Sequence, residues 1–259
     1  MPEAVNGHVL VMTSNGDNVL NCGGPPNYKK CYSLEIKEKR WIHHSNLIQE
    51  RYFATSVTMP NGVYIFGGLY SPTTTDFLPK NSGVWQAGPS IPNGFKGGCG
   101  VQISKEEILL IGGWGTEDRL LEFNTTTNNF TIRGDKLQQG RCTLLNDMII
   151  VAGGRSANSH NVLNSTELVP LTNGSPRFGG DLITARAYFG LATIGVHKKA
   201  YSFGGNVSGK RSGHNPLQSV EEWDADTEQW KFANFSLKKI KDTFGYLAVP
   251  PHIVCPPNN

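Results

Sequence analysis

The feature that most constrains the fold of this 259-residue chain is an apolar run ending in Gly-Gly, which occurs five times. The pairs are spaced 44, 45, 41 and 51 residues apart, at Gly23 and Gly24, Gly67 and Gly68, Gly112 and Gly113, Gly153 and Gly154, and Gly204 and Gly205. Two residues without a Cβ atom at the end of a strand let the chain turn and pack closely. A repeat of about 40 to 50 residues with glycine and aromatic marks is typical of β-propeller blades.

An aromatic residue keeps register with the glycine pairs. Trp41, Trp85 and Phe130 each lie 17 residues after the second glycine of their pair, and Trp230 takes the same place after a longer loop. The fourth repeat has no such tryptophan, and Phe178 is the nearest substitute. Because an aromatic side chain buries roughly 200 Å², we expect these residues to cover the faces between neighbouring blades.

Polar hairpin tips stand just before these aromatic residues and read KEKR, KNSG, TTTN and ADTE. With its five glycine pairs, its aromatic residues and acidic third strands such as SVEEWDADTEQW (219–230), the chain resembles the kelch-repeat family over nearly its whole length. The resemblance implies an all-β propeller of four-stranded blades, forming one domain over residues 1–259. The near-complete repeats are expected at 8–52, 53–96, 97–141, 142–186 and 187–241.

A further strand is expected after the last repeat. The segment beginning at Lys241 reads KDTFG and matches the segment RAYFG that begins at Arg186, which predicts that 243–250 is the closing strand of a sixth blade. Closing a propeller removes its exposed sheet edges. We therefore expect the chain to be a fragment of a six-bladed protein whose remaining strands lie upstream of Met1. A five-bladed ring with one redundant strand is the alternative.

The cysteines give a first indication of the compartment. Cys22 and Cys31 lie at the two ends of a short loop between adjacent antiparallel strands, a geometry that suits a disulfide. Cys99 and Cys142 fall on neighbouring inner strands and could also pair, which leaves Cys255 over. Their spacing does not suit a zinc site. The loop from Cys22 to Cys31 is similar to one in some secreted, kelch-like arthropod proteins.

Glycosylation sequons point in the same direction. The candidate acceptors are Asn124, Asn129, Asn164, Asn206 and Asn234. A sixth sequon, at Asn173, is a poor acceptor because a proline follows it. With the predicted disulfide, these sequons favour a secreted protein, although no signal peptide stands in this chain. An intracellular kelch protein with free thiols is the alternative.

Several functional classes find no support in the sequence. A net charge of +3 is too small to indicate a nucleic-acid partner, and no apolar run reaches the roughly 18 residues of a membrane span. The chain has no nucleophile elbow, no zinc-protease helix and no phosphate loop. We therefore predict no catalytic residue, no metal and no cofactor. The competing class is a propeller enzyme of the galactose-oxidase type.

Loops on one face of the propeller are the better candidates for a function. The segments after each Gly-Gly should emerge together, and they vary in length and type as binding loops on a rigid scaffold do. The candidate partner-binding residues in them are Trp114, Arg155, His160, Lys210, Arg211 and His214.

Basic residues just before the inner strands form a second candidate set. They are Arg51, Lys96, Arg141, Arg186 and Lys241. At equivalent places in five blades they would form a basic ring at one mouth of the central channel and attract an acidic segment of a partner protein. Alternatively, these side chains bind backbone carbonyl groups of a neighbouring blade.

The function predicted from these residues is a non-catalytic protein–protein interaction module. The resemblance implies roles such as substrate recognition for ubiquitin ligases, actin binding or extracellular adhesion. The identity of the partner and the oligomeric state stay open.

Overall fold

The computed structural model shows a β-propeller built from five antiparallel sheets of four strands each. It describes residues 6–113, 119–135, 140–156, 159, 161–171, 174–194, 199–208 and 215–239. These residues contain strands, turns and irregular segments but no helix, so the prediction of an all-β propeller is confirmed. Accordingly, no helix among them is long and apolar enough to cross a membrane. The predicted closing strand, 243–250, lies outside the described residues.

The blades follow one another along the chain, and each runs from an inner to an outer strand. Blade 1 comprises β1 (Val9–Met12), β2 (Asn18–Cys22), β3 (Cys31–Glu35) and β4 (Arg40–His44). Blade 2 comprises β5 (Thr55–Met59), β6 (Gly62–Phe66), β7 (Thr75–Pro79) and β8 (Gln86–Ala87). Blade 3 comprises β9 (Cys99–Gln102), β10 (Glu107–Ile111), β11 (Arg119–Asn124) and β12 (Asn129–Asp135). Blade 4 comprises β13 (Arg141–Leu145), β14 (Met148–Ala152), β15 (Thr166–Pro170) and β16 (Arg177–Phe178). Blade 5 comprises β17 (Gly190–Ile194), β18 (Lys199–Phe203), β19 (Ser219–Asp224) and β20 (Gln229–Ser236).

In blades 2, 3 and 4 the second strand is the most apolar, because a neighbouring blade covers each of its faces. All five residues of β6 are buried, and Ile108–Ile111 of β10 have no exposed surface. Such a strand reads as a continuous apolar run rather than as an alternation. The inner strand β5 instead buries every second residue, since one of its faces lines the central channel.

The glycine pairs allow the chain to leave the second strand and to approach the next blade. All ten glycines have a positive φ, which residues with a Cβ atom rarely adopt. A Cβ atom on Gly67 would collide with the carbonyl group of Phe95, which lies just before the next inner strand. The glycines are therefore required both by the turn and by the contact between blades.

Four apolar clusters fill the interfaces between consecutive blades. As predicted, aromatic residues cover three of these interfaces: Trp85 between blades 1 and 2, Phe130 between blades 2 and 3, and Trp230 between blades 4 and 5. Trp41 is half-buried and faces Leu34 on the neighbouring strand. No such cluster of described residues joins blade 5 to blade 1.

Phe178 does not replace the missing tryptophan of blade 4. Its side chain is 72% exposed on the two-residue strand β16, so the prediction that it covers the blade interface is wrong. The cluster between blades 3 and 4 contains only aliphatic residues and two cysteines among the residues that the structure describes. Those cysteines, Cys99 and Cys142, form a disulfide between inner strands β9 and β13. A covalent link thus joins the two blades whose interface lacks an aromatic residue.

The other disulfide lies within blade 1. Cys22 and Cys31 are directly paired in the register of β2 and β3, and their Cα atoms are 4.2 Å apart. The prediction of this bridge is confirmed. Trp85 of the next blade belongs to the same apolar cluster, and both cysteines are buried.

Candidate partner-binding site at the channel mouth

The inner strands of the five blades enclose a central cavity of about 530 Å³. Hydroxyl groups along its wall join neighbouring blades. Thr58 donates a hydrogen bond to the carbonyl oxygen of Met12 over 2.6 Å, and Thr193 donates one to that of Leu144 over 2.6 Å. These polar side chains thereby join the inner strands of consecutive blades.

A smaller cavity of about 70 Å³ lies at the mouth of this channel, on the face where the glycine pairs emerge. Lys96, Arg141 and Arg155 line it, together with the aromatic rings of Phe53 and Tyr188. The cations come from three separate places in the chain: the segment before β9, the first residue of β13 and the loop after β14. No Asp or Glu is found among the described residues that line the cavity.

Arg51 and Arg186 do not belong to this mouth, and the predicted basic ring is wrong for both. Each is about 1% exposed or less. The guanidinium group of Arg51 lies 3.0 Å from Asp76 and donates hydrogen bonds to the carbonyl oxygens of Gly67 at 2.7 Å and Thr74 at 2.9 Å. A buried cation needs such partners, because removing it from water unpaired is costly.

Arg186 makes the corresponding contacts in blade 5. It pairs with Glu221 and donates hydrogen bonds to the carbonyl oxygens of Gly204 at 2.9 Å and Ser219 at 3.2 Å. Glu221 also accepts the backbone N–H of Thr184 at 3.0 Å. Burial lowers the pKa of Arg186, and the charge of Glu221 opposes that shift. The alternative interpretation of these arginines, as residues that bind backbone carbonyl groups, is the one that the contacts support.

The register of the blades explains why the other cations are placed differently. The residue four before the inner strand is Arg51 in blade 2, Phe95 in blade 3 and Arg186 in blade 5. In all three blades the carbonyl oxygen of this residue accepts a hydrogen bond from the N–H of the second glycine of the preceding blade, at 2.8–2.9 Å. Lys96 therefore stands one residue after the structural position, and Arg141 already belongs to its strand.

A second regularity concerns the residue two before each inner strand. In the four blades where this residue is described it has a positive φ: 58° at Gly7, 55° at Phe53, 77° at Gly97 and 56° at Tyr188. The rings of Phe53 and Tyr188 lie 6.1 Å apart, centroid to centroid, at the mouth. Neither residue is among the candidates that the sequence indicates, because a left-handed backbone at an aromatic residue leaves no mark in the sequence.

Tyrosines extend this aromatic surface away from the channel. Tyr28 and Tyr70 lie in loops after the first two glycine pairs, and their rings are 4.7 Å apart in an edge-on arrangement. A hydrogen bond with Tyr70 raises the pKa of Tyr28. Tyr52 contacts both tyrosines and also Phe53, at 4.4 Å. A continuous aromatic strip thus runs from these two loops, through Tyr52, to Phe53 at the mouth.

The remaining predicted partner-binding residues cannot be placed in this site. Trp114, His160, Lys210, Arg211, His214 and Lys241 lie outside the described residues. Among the described residues, no group of three or more His, Cys, Asp and Glu side chains is arranged to hold a metal ion.

The sequon asparagines differ in accessibility. Asn129, Asn164 and Asn234 are exposed, so their glycosylation stays a prediction. Asn124 is half-buried, and its side-chain oxygen accepts hydrogen bonds from the N–H groups of the following turn. Asn206 has no exposed surface, and its side-chain oxygen accepts the N–H of Ser208 at 2.9 Å. The expectation that Asn206 carries a glycan is therefore wrong for this fold.

Comparison with known proteins adds no family name. No protein-family model and no curated protein matches the sequence. The likeness to kelch repeats thus rests on the glycine pairs, the aromatic residues in register with them and the four-stranded blades described above.

Proposed function

We propose that the protein is a non-catalytic, kelch-type interaction module that binds an acidic segment of a partner protein at the channel mouth. The observation that carries this proposal is the convergence of Lys96, Arg141 and Arg155 on one cavity. Cations around an opening attract acidic segments and raise the rate of association. Arginine adds specificity, because its planar fork can hold a carboxylate through two parallel hydrogen bonds.

The two disulfides support an extracellular location for this module. Disulfides persist in oxidising compartments and are rare in the cytosol. The exposed sequons at Asn129, Asn164 and Asn234 suit the same location. We accordingly expect the partner to be an extracellular protein or the outer part of a membrane protein.

Titration with short acidic peptides tests the proposal. The probe is a peptide of alternating Glu and Gly, and the control replaces each Glu by Gln. We expect the protein to bind the acidic peptide more tightly, with an affinity that falls as salt is raised. Equal binding of the two peptides would contradict the proposal.

Matched variants locate the binding. Lys96→Ala and Arg155→Ala should each weaken binding of the acidic peptide by about tenfold, the effect of losing one charge-assisted contact. Lys37→Ala is the control, because Lys37 is an exposed lysine in the distal turn between β3 and β4. A loss of affinity that is as large in Lys37→Ala would show that only the overall charge matters.

A further inference from the structure

We propose that Phe53 and Tyr188 form an aromatic clamp at the channel mouth, which selects acidic segments that carry an aromatic side chain beside the carboxylate. This inference rests on the proposed function and adds the specificity of the same site. It makes Phe53 and Tyr188 specificity-determining residues rather than parts of the core.

The backbone at these two residues gives the first argument. The fold requires a left-handed residue two positions before the inner strand, and blades 1 and 3 place Gly7 and Gly97 there. Glycine adopts this conformation without strain, whereas a bulky residue is disfavoured in it. Blades 2 and 5 nevertheless carry Phe53 and Tyr188, with φ values of 55° and 56°. Strained residues of this kind cluster at functional sites, where the surrounding structure holds them in place.

The placement of the rings gives the second argument. Phe53 and Tyr188 belong to blades that are not consecutive, yet their rings meet at 6.1 Å with an angle of 38° between their planes. Neither residue belongs to the apolar clusters between the blades, although the next residue, Phe189, is fully buried in one of them. The rings therefore serve the mouth and not the blade interfaces.

The chemistry of the cavity indicates what it binds. Lys96, Arg141 and Arg155 supply positive charge beside the two rings. A space of about 70 Å³ holds a few water molecules and is therefore large enough to admit a carboxylate group. An aromatic side chain next to that carboxylate would pack against Phe53 and Tyr188, since aromatic pairs gain beyond their buried area. The rest of the bound partner segment could then lie along Tyr52 and Tyr70, which extend away from the mouth.

Glycine substitutions separate this role from folding. Phe53→Gly and Tyr188→Gly place glycine where two other blades already have it, so the melting temperature should stay level or rise. Phe189→Gly is the control, because it empties a buried position and should lower the melting temperature strongly. A marked loss of melting temperature in both Phe53→Gly and Tyr188→Gly would overturn the inference, since the rings would then serve packing.

Three peptides complete the test by isothermal titration: alternating Glu and Phe, alternating Glu and Gly, and alternating Gln and Phe. We expect the wild-type protein to bind the first about tenfold more tightly than the second. The double variant Phe53→Gly/Tyr188→Gly should bind both acidic peptides equally and still prefer them to the peptide with Gln.

The outcomes distinguish the two proposals. If the wild-type protein prefers Glu to Gln but gains nothing from Phe, or if the double variant keeps the preference for Phe, the clamp is wrong and the acidic-segment proposal stands. If neither acidic peptide binds more tightly than the peptide with Gln, the acidic-segment proposal itself is wrong.

Discussion

The indole Nε1 of Trp230 donates a hydrogen bond to the hydroxyl group of Thr166 over 2.9 Å, across the interface between blades 5 and 4. Trp85 covers the corresponding interface between blades 2 and 1, where Cys31 takes the place of Thr166 in the third strand. Its Nε1 is buried without a hydrogen-bond partner among the described residues. The indole between the blades thus contacts a hydroxyl group at one interface, and at the other it packs in the same apolar cluster as a disulfide.

We expect Trp230→Ala to destabilise the fold by about 3–5 kcal/mol, because it empties a buried slot between two blades. Trp230→Phe should cost about 1 kcal/mol more than Trp85→Phe, because only Trp230 gives up a hydrogen bond. Denaturant unfolding monitored by far-UV circular dichroism measures both differences. Equal losses in the two Phe variants would show that the hydrogen bond to Thr166 adds nothing to stability.

The buried arginines should act on stability and not on binding directly. Arg51→Ala and Arg186→Ala each leave a buried carboxylate unpaired, which should destabilise the fold by about 3–5 kcal/mol. Lys96→Ala at the mouth should change stability by less than about 0.5 kcal/mol. Thermal melts of the three variants check this ranking. A normal melting temperature for Arg186→Ala would contradict the structural role assigned to it.

The two disulfides should contribute unequally to stability. In the chain-entropy account, a bridge that closes a longer loop restricts the unfolded chain more. With separations of 43 and 9 residues, replacing both Cys99 and Cys142 by Ala should cost about 4 kcal/mol, and replacing Cys22 and Cys31 about 2.5 kcal/mol. Guanidinium unfolding of the two double variants tests the order. The reverse order would mean that the buried contact of the blade 1 bridge outweighs the entropy of the loop.

The stability should decrease as the pH falls from about 7 to about 5. Burial lowers the pKa of His8 and His44 below the ordinary value of 6.5. The unfolded chain therefore takes up protons at these residues before the folded protein does, and protonation favours unfolding. His8→Asn should flatten the decrease when unfolding free energies are compared at several pH values. His43→Asn is the control, because His43 is exposed.

Much of the fold follows from the sequence because its marks repeat. The glycine pairs and the aromatic residues in register with them each reflect a physical requirement of one blade, so five copies identify the architecture. The Cys22–Cys31 bridge follows as well, because a short loop between paired strands brings the two residues together.

The site is less predictable because it depends on where each inner strand begins. These strands are short and follow loops of different lengths, so Lys96 and Arg141 could not be aligned with Arg51 from the sequence alone. The burial of Arg51 and Arg186 could not be predicted either, because it depends on the same strand boundaries. Both were expected at the mouth but lie in the blade interior. The positive φ of Phe53 and Tyr188 is visible only in the folded chain.

The most direct test of the binding site is an amide NMR titration of the protein with the peptide of alternating Glu and Gly. Gly97, Gly140 and Gly154 line the mouth and report on binding there, while Gly16 and Gly83 lie in turns at the opposite ends of their blades. We expect the amide signals of the three mouth glycines to shift in a saturable, salt-sensitive manner, with Gly16 and Gly83 unchanged. If the peptide binds while the amide signals of the three mouth glycines do not shift, or if it does not bind at all, the channel mouth is not the binding site of an acidic partner.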